Sequence, residues 1–225
     1  MKIWHLFHSG VLVETDHEQL FFDVISDIDG FVDSRKKQYF FVSHMHSDHF
    51  DFERLSPYLS KATFILSDEE VIREAFKNCN QVIYVKPNES YDDLSFRVTT
   101  YDSTDLGVSF MVELDHKYIF HSGDLNWWHW ENSPPDVQAD EARQFNEILS
   151  SIKEPQIDVA FVPVDLRLKD AYYYAAKAFI ENKRLGYLVP MHFNTNYGIT
   201  KDLYDLLKND LIVKIETENS LLFSL

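Results

Sequence analysis

The chain has 225 residues, of which 45% are hydrophobic and 26% charged, ordinary globular composition for one large domain (residues 1–225) with a substantial buried core. Lys and Arg number 21 against 37 Asp and Glu; the net charge of -16 argues against a nucleic-acid partner but permits a small anionic substrate beside a bound cation. Cys79 is the only cysteine, so no internal disulfide forms, and no apolar run approaches the ~18 residues of a membrane helix, so no membrane partner is expected.

The N-terminal "MKIWHLFHSGVLVE" meets His5, His8 and Glu14 too early for a signal peptide, and the expected location is the cytoplasm. "KIWHLF", "GVLVET" and "QLFFDV" predict a meander of three short strands separated by the turns "HSG" and "DHE". "YFFVSH" predicts a strand buried on both faces. A short helix over "DFERLSPYL" and a strand over "ATFILS" follow, then a helix over "SDEEVIREAFKNC" with Ser67 as N-cap and Glu70 closing a capping box. "QVIYV" is the next strand. "LSFRVTTY", "GVSFMVEL" and "KYIFHSGD" predict a second meander. The last third predicts helices over "DVQADEARQFNEILSSI", "KDAYYYAAKAFIENK" and "TKDLYDLLKND", alternating with strands "IDVAFVPV" and "GYLVPMHF", and closing strands "LIVKIE" and "SLLFSL". This order implies an α+β fold of two stacked sheets flanked by helices.

Isolated histidines carry little information. His17 and His116 fall in hairpin turns, His5 and His8 lie on or just after the first strand, and His129 sits among Trp127, Trp128 and Trp130. "FVSHMHSDHFD" is different because His44, His46, Asp48 and His49 cluster at the end of a buried strand. His44 and His46 are two apart, so both imidazoles project to one side of an extended chain. Nitrogen paired with hard oxygen suits a divalent metal such as zinc, with manganese or iron as further options. Asp124 in "SGDL" and His192 in "VPMHF" end two more buried strands and offer the remaining ligands, Asp124 as a carboxylate able to bridge two ions.

These segments resemble the metallo-β-lactamase superfamily, whose H-x-H-x-D-H signature "HMHSDH" matches at every defined position. "HSGVLVET…LFFDV" and "FVPVDLRL…AKAF…LVPMHF" are similar to its compact Zn-dependent hydrolase branch. The resemblance implies a four-layer αββα sandwich of two mixed sheets with metals at one edge. It also implies His44 and His46 on a first metal, Asp48, His49 and His192 on a second, and Asp124 between them. The chain departs from the family where a third histidine is expected, in "TTYDSTDLGVSF". Asp102, Ser103, Thr104 and Asp105 are the candidates there, and Asp105 is preferred as a carboxylate.

The expected activity is hydrolysis of a small ester, lactone or phosphodiester by metal-bound hydroxide, with Asp48 orienting the nucleophile and accepting a proton. Arg167, Asn194 and Tyr197 are candidate substrate contacts, and loop 126–135 is a candidate aromatic wall. The alternatives are a mononuclear centre and a non-catalytic metal-binding protein that uses this fold as an interaction partner. One ion or two, and the oligomeric state, stay open at this point.

Overall fold

The computed structural model describes residues 1–93 and 95–225. Its strands form two mixed sheets. The first contains β1 (Lys2–His5), β2 (Val11–Glu14), β3 (Glu18–Phe22), β4 (Lys37–Val42), β5 (Thr63–Ser67), β6 (Val82–Val85) and β13 (Ser220–Ser224), in the order β13-β1-β2-β3-β4-β5-β6. The meander β1–β3 is antiparallel, whereas β3 through β6 run parallel. The second sheet contains β7 (Ser90–Asp92), β8 (Phe96–Tyr101), β9 (Ser109–Leu114), β10 (Lys117–His121), β11 (Ile157–Pro163) and β12 (Leu185–Met191), in the order β12-β11-β10-β9-β8-β7. Here β10, β11 and β12 are parallel and the meander β7–β10 is antiparallel.

Side-chain alternation divides the first sheet between two cores. Phe21, Phe40 and Phe64 point outward onto Leu55 of helix α1 (Phe52–Leu55), Ile72 of α2 (Glu70–Ala75), and Phe76. Phe22, Phe41 and Ile65 point inward to the second sheet. Within the first sheet Phe22 and Phe41 stack at 4.4 Å, and across the interior Phe41 meets Phe110 of the second sheet edge-on at 5.3 Å. The other face of the second sheet receives Phe145 and Leu149 of α3 (Pro135–Ser151), Phe179 of α4 (Tyr174–Asn182) and Leu203 of α5 (Gly198–Leu207). The layers are therefore helix, sheet, sheet, helix, as the sequence implied.

Some local expectations need correction. Ser67 is not a helix cap: it stays in the ladder opposite Val85, and Asp68 N–H also donates to Val85. Helix α2 consequently starts at Glu70, with Glu69 at the N-cap position. "LIVKIE" forms no strand, because only Ile212 makes an isolated bridge, to Leu188. The helix expected from Lys169 begins at Tyr174, after a 3-10 segment Leu166–Ala171 interrupted at Lys169 (φ 52°). The expected strand "LSFRVTTY" starts at Leu94, which lies outside the described residues, and its observed part is β8. The short β7 was not foreseen.

Candidate metal centre

Parallel strands leave all their C-terminal ends at one edge of a sheet, and loops leaving that edge can converge. The polar residues that directly follow strands do so here: Asp23 after β3, Ser43 to His49 after β4, Ser122 to Asp124 after β10, Asp165 after β11 and His192 after β12. His8 joins them from the turn between β1 and β2. Two close approaches hold the loops together at Ser43. A Cβ on Gly107 (φ 69°) would lie 1.9 Å from Ser43 O, and one on Gly123 (φ 52°) would lie 2.7 Å from Ser43 Cβ. Both positions need glycine for space as well as for backbone angle.

Two groups of side chains offer ligand atoms that lie within 4.8 Å of one another: His44, His46 and Asp124, and His8, Asp48, His49 and His192. Asp124 faces both groups. Its Oδ2 lies 3.5 Å from His44 Nε2, while its Oδ1 lies 3.0 Å from His49 Nε2 and 3.4 Å from His192 Nε2. His46 Nδ1 is 3.1 Å from His44 Nε2, and Asp48 Oδ2 is 3.5 Å from His192 Nε2. The sequence-predicted ligands His44, His46, Asp48, His49, Asp124 and His192 therefore meet at one place.

The donor set fits a cation. His49 Nε2, His192 Nε2 and Asp124 Oδ1 are buried without a hydrogen-bond partner among the described residues. Such atoms are costly unless something binds them. Behind them stand carboxylates that the sequence reading missed. Asp23 is fully buried, accepts from Ser43 N–H (2.8 Å) and Ser43 Oγ (2.6 Å), and lies 2.7 Å from His49 Nδ1. Asp165 Oδ2 lies 3.2 Å from His192 Nδ1. The arrangement of carboxylate, imidazole and vacant nitrogen is typical of metal sites, because the outer partner fixes the ring and its tautomer.

Burial lowers the His49 imidazole, but Asp23 and Asp124 more than offset it and hold the group up at about 10. His192 follows the same pattern and sits at about 8, through Asp165 and Asp48. His44 has burial and His49 against it and falls to about 4. Burial, with help from neighbouring Asp124, raises the Asp105 carboxyl. Asp48 is held well below the usual carboxylate range by His192 and His8.

The loop that lacks the expected histidine supplies one usable oxygen. Thr104 Oγ1 is spent on the backbone of Asn126 and Asp124, Ser103 Oγ accepts from Asp105 N–H, and Asp102 Oδ1 accepts from Ser103 N–H. Asp105 Oδ2 alone turns inward, 3.7 Å from His46 Nδ1 and outside the two tight groups.

Two cavities open beside the centre. One, of about 330 Å³, is bordered by His8, Asp48, Arg167, His192 and Asn194; the other, of about 350 Å³, by His46, Asp48, Asp105, Trp128, Trp130 and Arg167. The Trp-rich loop thus walls the second cavity with Trp128 and Trp130, whereas Trp127 packs into the interior against Phe145. Arg167 touches both cavities and is anchored by Asp165 at 2.7 Å. Tyr197 lines neither: its ring packs edge-on against Phe193 and His5, so the structure does not bring it to the site. Lys169 pairs with Glu131 instead of reaching the centre.

Asp23 and Asp165 carry one signal that was available in the sequence. Both are polar residues placed directly after an apolar run, in "LFFD" and "FVPVD". His8 lacked even that cue, since β1 ends at His5.

No protein-family model matches the chain, and no curated protein matches it. Solved structures do. The chain is similar to the metallo hydrolase Igni18 of the archaeon Ignicoccus hospitalis, at 16% identity and a TM-score of 0.66 over 98% of this chain and 95% of that one. It is similar to the metallo-β-lactamase fold protein YhfI of Bacillus subtilis, at 14% identity and a TM-score of 0.60 over 92% of each chain. The diiron β-hydroxylase CmlA of Streptomyces venezuelae gives a TM-score of 0.60 at 11% identity, over 85% of this chain and 44% of that one. The fold of this chain is the metallo-β-lactamase fold.

Proposed function

We propose that this chain is a metal-dependent hydrolase of small molecules whose centre takes two divalent ions. One observation carries the reading: the two carboxylate oxygens of Asp124 face two different sets of imidazoles. His44, His46 and Asp105 would hold the first ion, Asp48, His49 and His192 the second, and Asp124 both. Divalent ions in such a site supply Lewis acidity and make bound water acidic enough to ionise near neutral pH.

The remaining work falls to side chains. Asp48 borders both cavities and is the least buried member of its group, so it can orient an attacking water and accept a proton from it. In the net reaction the water oxygen ends on the acyl carbon or phosphorus, and its hydrogens are shared between the new acid and the leaving oxygen. Arg167 and Asn194 border the first cavity and supply donors to an anionic substrate group. Nitrogen and oxygen donors together suit zinc, and manganese or iron as well. The diiron centre of CmlA is support for iron on this fold.

A mononuclear centre is the second reading, and it too has an observation in its favour. Asp105 stands outside the tight group that contains His44 and His46, so the first ion has fewer close donors than the second. Chain loaded in turn with zinc, manganese and iron, assayed on esters, lactones and phosphodiesters, tests the function. Turnover with at least one metal, reduced about 10²-fold or more in Asp48→Ala, is expected. No turnover with any metal would sink the hydrolase reading.

A further inference from the structure

Each inward-facing imidazole has its tautomer set by what its other nitrogen meets. A carboxylate only accepts, so His49 Nδ1, hydrogen-bonded to Asp23 at 2.7 Å, carries the ring hydrogen; His192 Nδ1 faces Asp165 Oδ2 at 3.2 Å, an acceptor that favours the same tautomer although the geometry does not complete a hydrogen bond. His44 Nδ1 lies 2.9 Å from Ser43 Oγ, whose own hydrogen goes to Asp23, so it also donates. In their neutral forms all three leave an Nε2 lone pair facing the centre.

His8 is the reverse case. The backbone N–H of Asn194 donates to His8 Nδ1 at 3.1 Å, and a backbone N–H has no other role. The neutral ring must then carry its hydrogen on Nε2, where no lone pair remains for a cation. Backbone geometry maintains this contact: His192 N–H donates to His8 O at 3.1 Å, and His8 and Asn194 both adopt left-handed φ, 55° and 51°. His8 is 2% exposed, and its Nε2 has no hydrogen-bond partner among the described residues, although Asp48 Oδ2 is 3.4 Å away. The ring borders the cavity of about 330 Å³ that Arg167 and Asn194 also border.

We propose that His8 is a catalytic hydrogen-bond donor to the substrate and not a metal ligand, despite its distance-based grouping with Asp48, His49 and His192. Its Nε2–H meets the substrate oxygen that gains negative charge as the carbonyl or phosphoryl group is attacked. The proposal rests on the hydrolase reading of the same centre. A buried donor already aimed at the point where charge develops needs no reorganisation during reaction, which is why such groups accelerate acyl and phosphoryl transfer.

Two variants separate the possibilities in the full chain. His8→Asn keeps an acceptor for Asn194 N–H but removes the inward donor; His8→Gln places an amide N–H near the lost Nε2. Both variants are expected to bind as many equivalents of cobalt(II) as the native chain, with the same visible spectrum. Removing one such donor should lower kcat about 10²–10³-fold in His8→Asn, with partial recovery in His8→Gln. Inorganic phosphate, titrated into the cobalt-loaded chain, should bind His8→Asn about tenfold or more weakly. Loss of a cobalt equivalent in His8→Asn would make His8 a ligand and overturn the proposal, as would unchanged kcat and phosphate affinity. If the native chain hydrolyses nothing, the hydrolase reading fails and the catalytic role of His8 fails with it, while the tautomer still decides whether His8 Nε2 can be a metal ligand. Long-range proton–nitrogen NMR correlations of the metal-free chain should place the His8 hydrogen on Nε2, and a hydrogen on Nδ1 would overturn the proposal.

Discussion

Asp23 ties the loop after β4 to one of the imidazoles that face the centre. It accepts from Ser43 through both N–H and Oγ, and it lies against His49 Nδ1, so one carboxylate fixes the end of β4 and the ring beyond it. Asp23→Asn keeps the shape but removes the charge, and should weaken cation binding about 10–100-fold in competition with a chelator. An unchanged affinity would mean that His49 is oriented by packing alone. The raised His49 and His192 values give a second expectation. Near neutral pH both rings of the metal-free protein hold protons, at about 10 and about 8, and a cation must displace them. Cation binding should therefore release protons, and affinity should climb as pH rises from about 6 toward about 8. Calorimetric titration in buffers of different ionisation enthalpy reads the released protons; none released would count against His49 and His192 as ligands.

The elements were legible where a pattern had one cause. The aromatic pair Phe21 and Phe22 and the continuous apolar run around Phe40 and Phe41 announced strands, and the two faces of those strands became the two cores. Capping at Ser67 was misread because local chemistry favoured a helix start there, while the ladder to β6 kept the residue extended. The closing "LIVKIE" has the composition of a strand, but only one bridge to β12 forms. The six candidate ligands were readable because each sits in a short local motif. His8, Asp23 and Asp165 were not, because their meaning comes from which strand ends adjoin, a property of the sheet order. Gly107 illustrates the same limit: nothing local marks it, yet its position against Ser43 places the Asp105 loop over His44. Gly107→Ala should destabilise the fold by ~2–4 kcal/mol through left-handed strain and the clash with Ser43. Urea denaturation measures this, and an unchanged midpoint would show that the loop can retreat at no cost.

The whole molecule gathers five strand ends, from both sheets, and one turn at one end of the sandwich, and leaves buried nitrogen and oxygen atoms there without partners among the described residues. A bound cation is what would relieve that desolvation, so stability and metal binding should be linked. Prolonged chelation should lower the thermal midpoint, and re-addition of metal should restore it. The central claim is a two-ion centre with Asp124 between two ligand groups. Zinc equivalents bound per chain, counted by mass spectrometry after equilibrium dialysis of the native chain and of Asp124→Ala, test it most directly. Two equivalents are expected, one for each ligand group, with the loss of at least one in Asp124→Ala. A native chain that retains one equivalent of zinc or none, or an Asp124→Ala chain that retains as much as the native one, would contradict it.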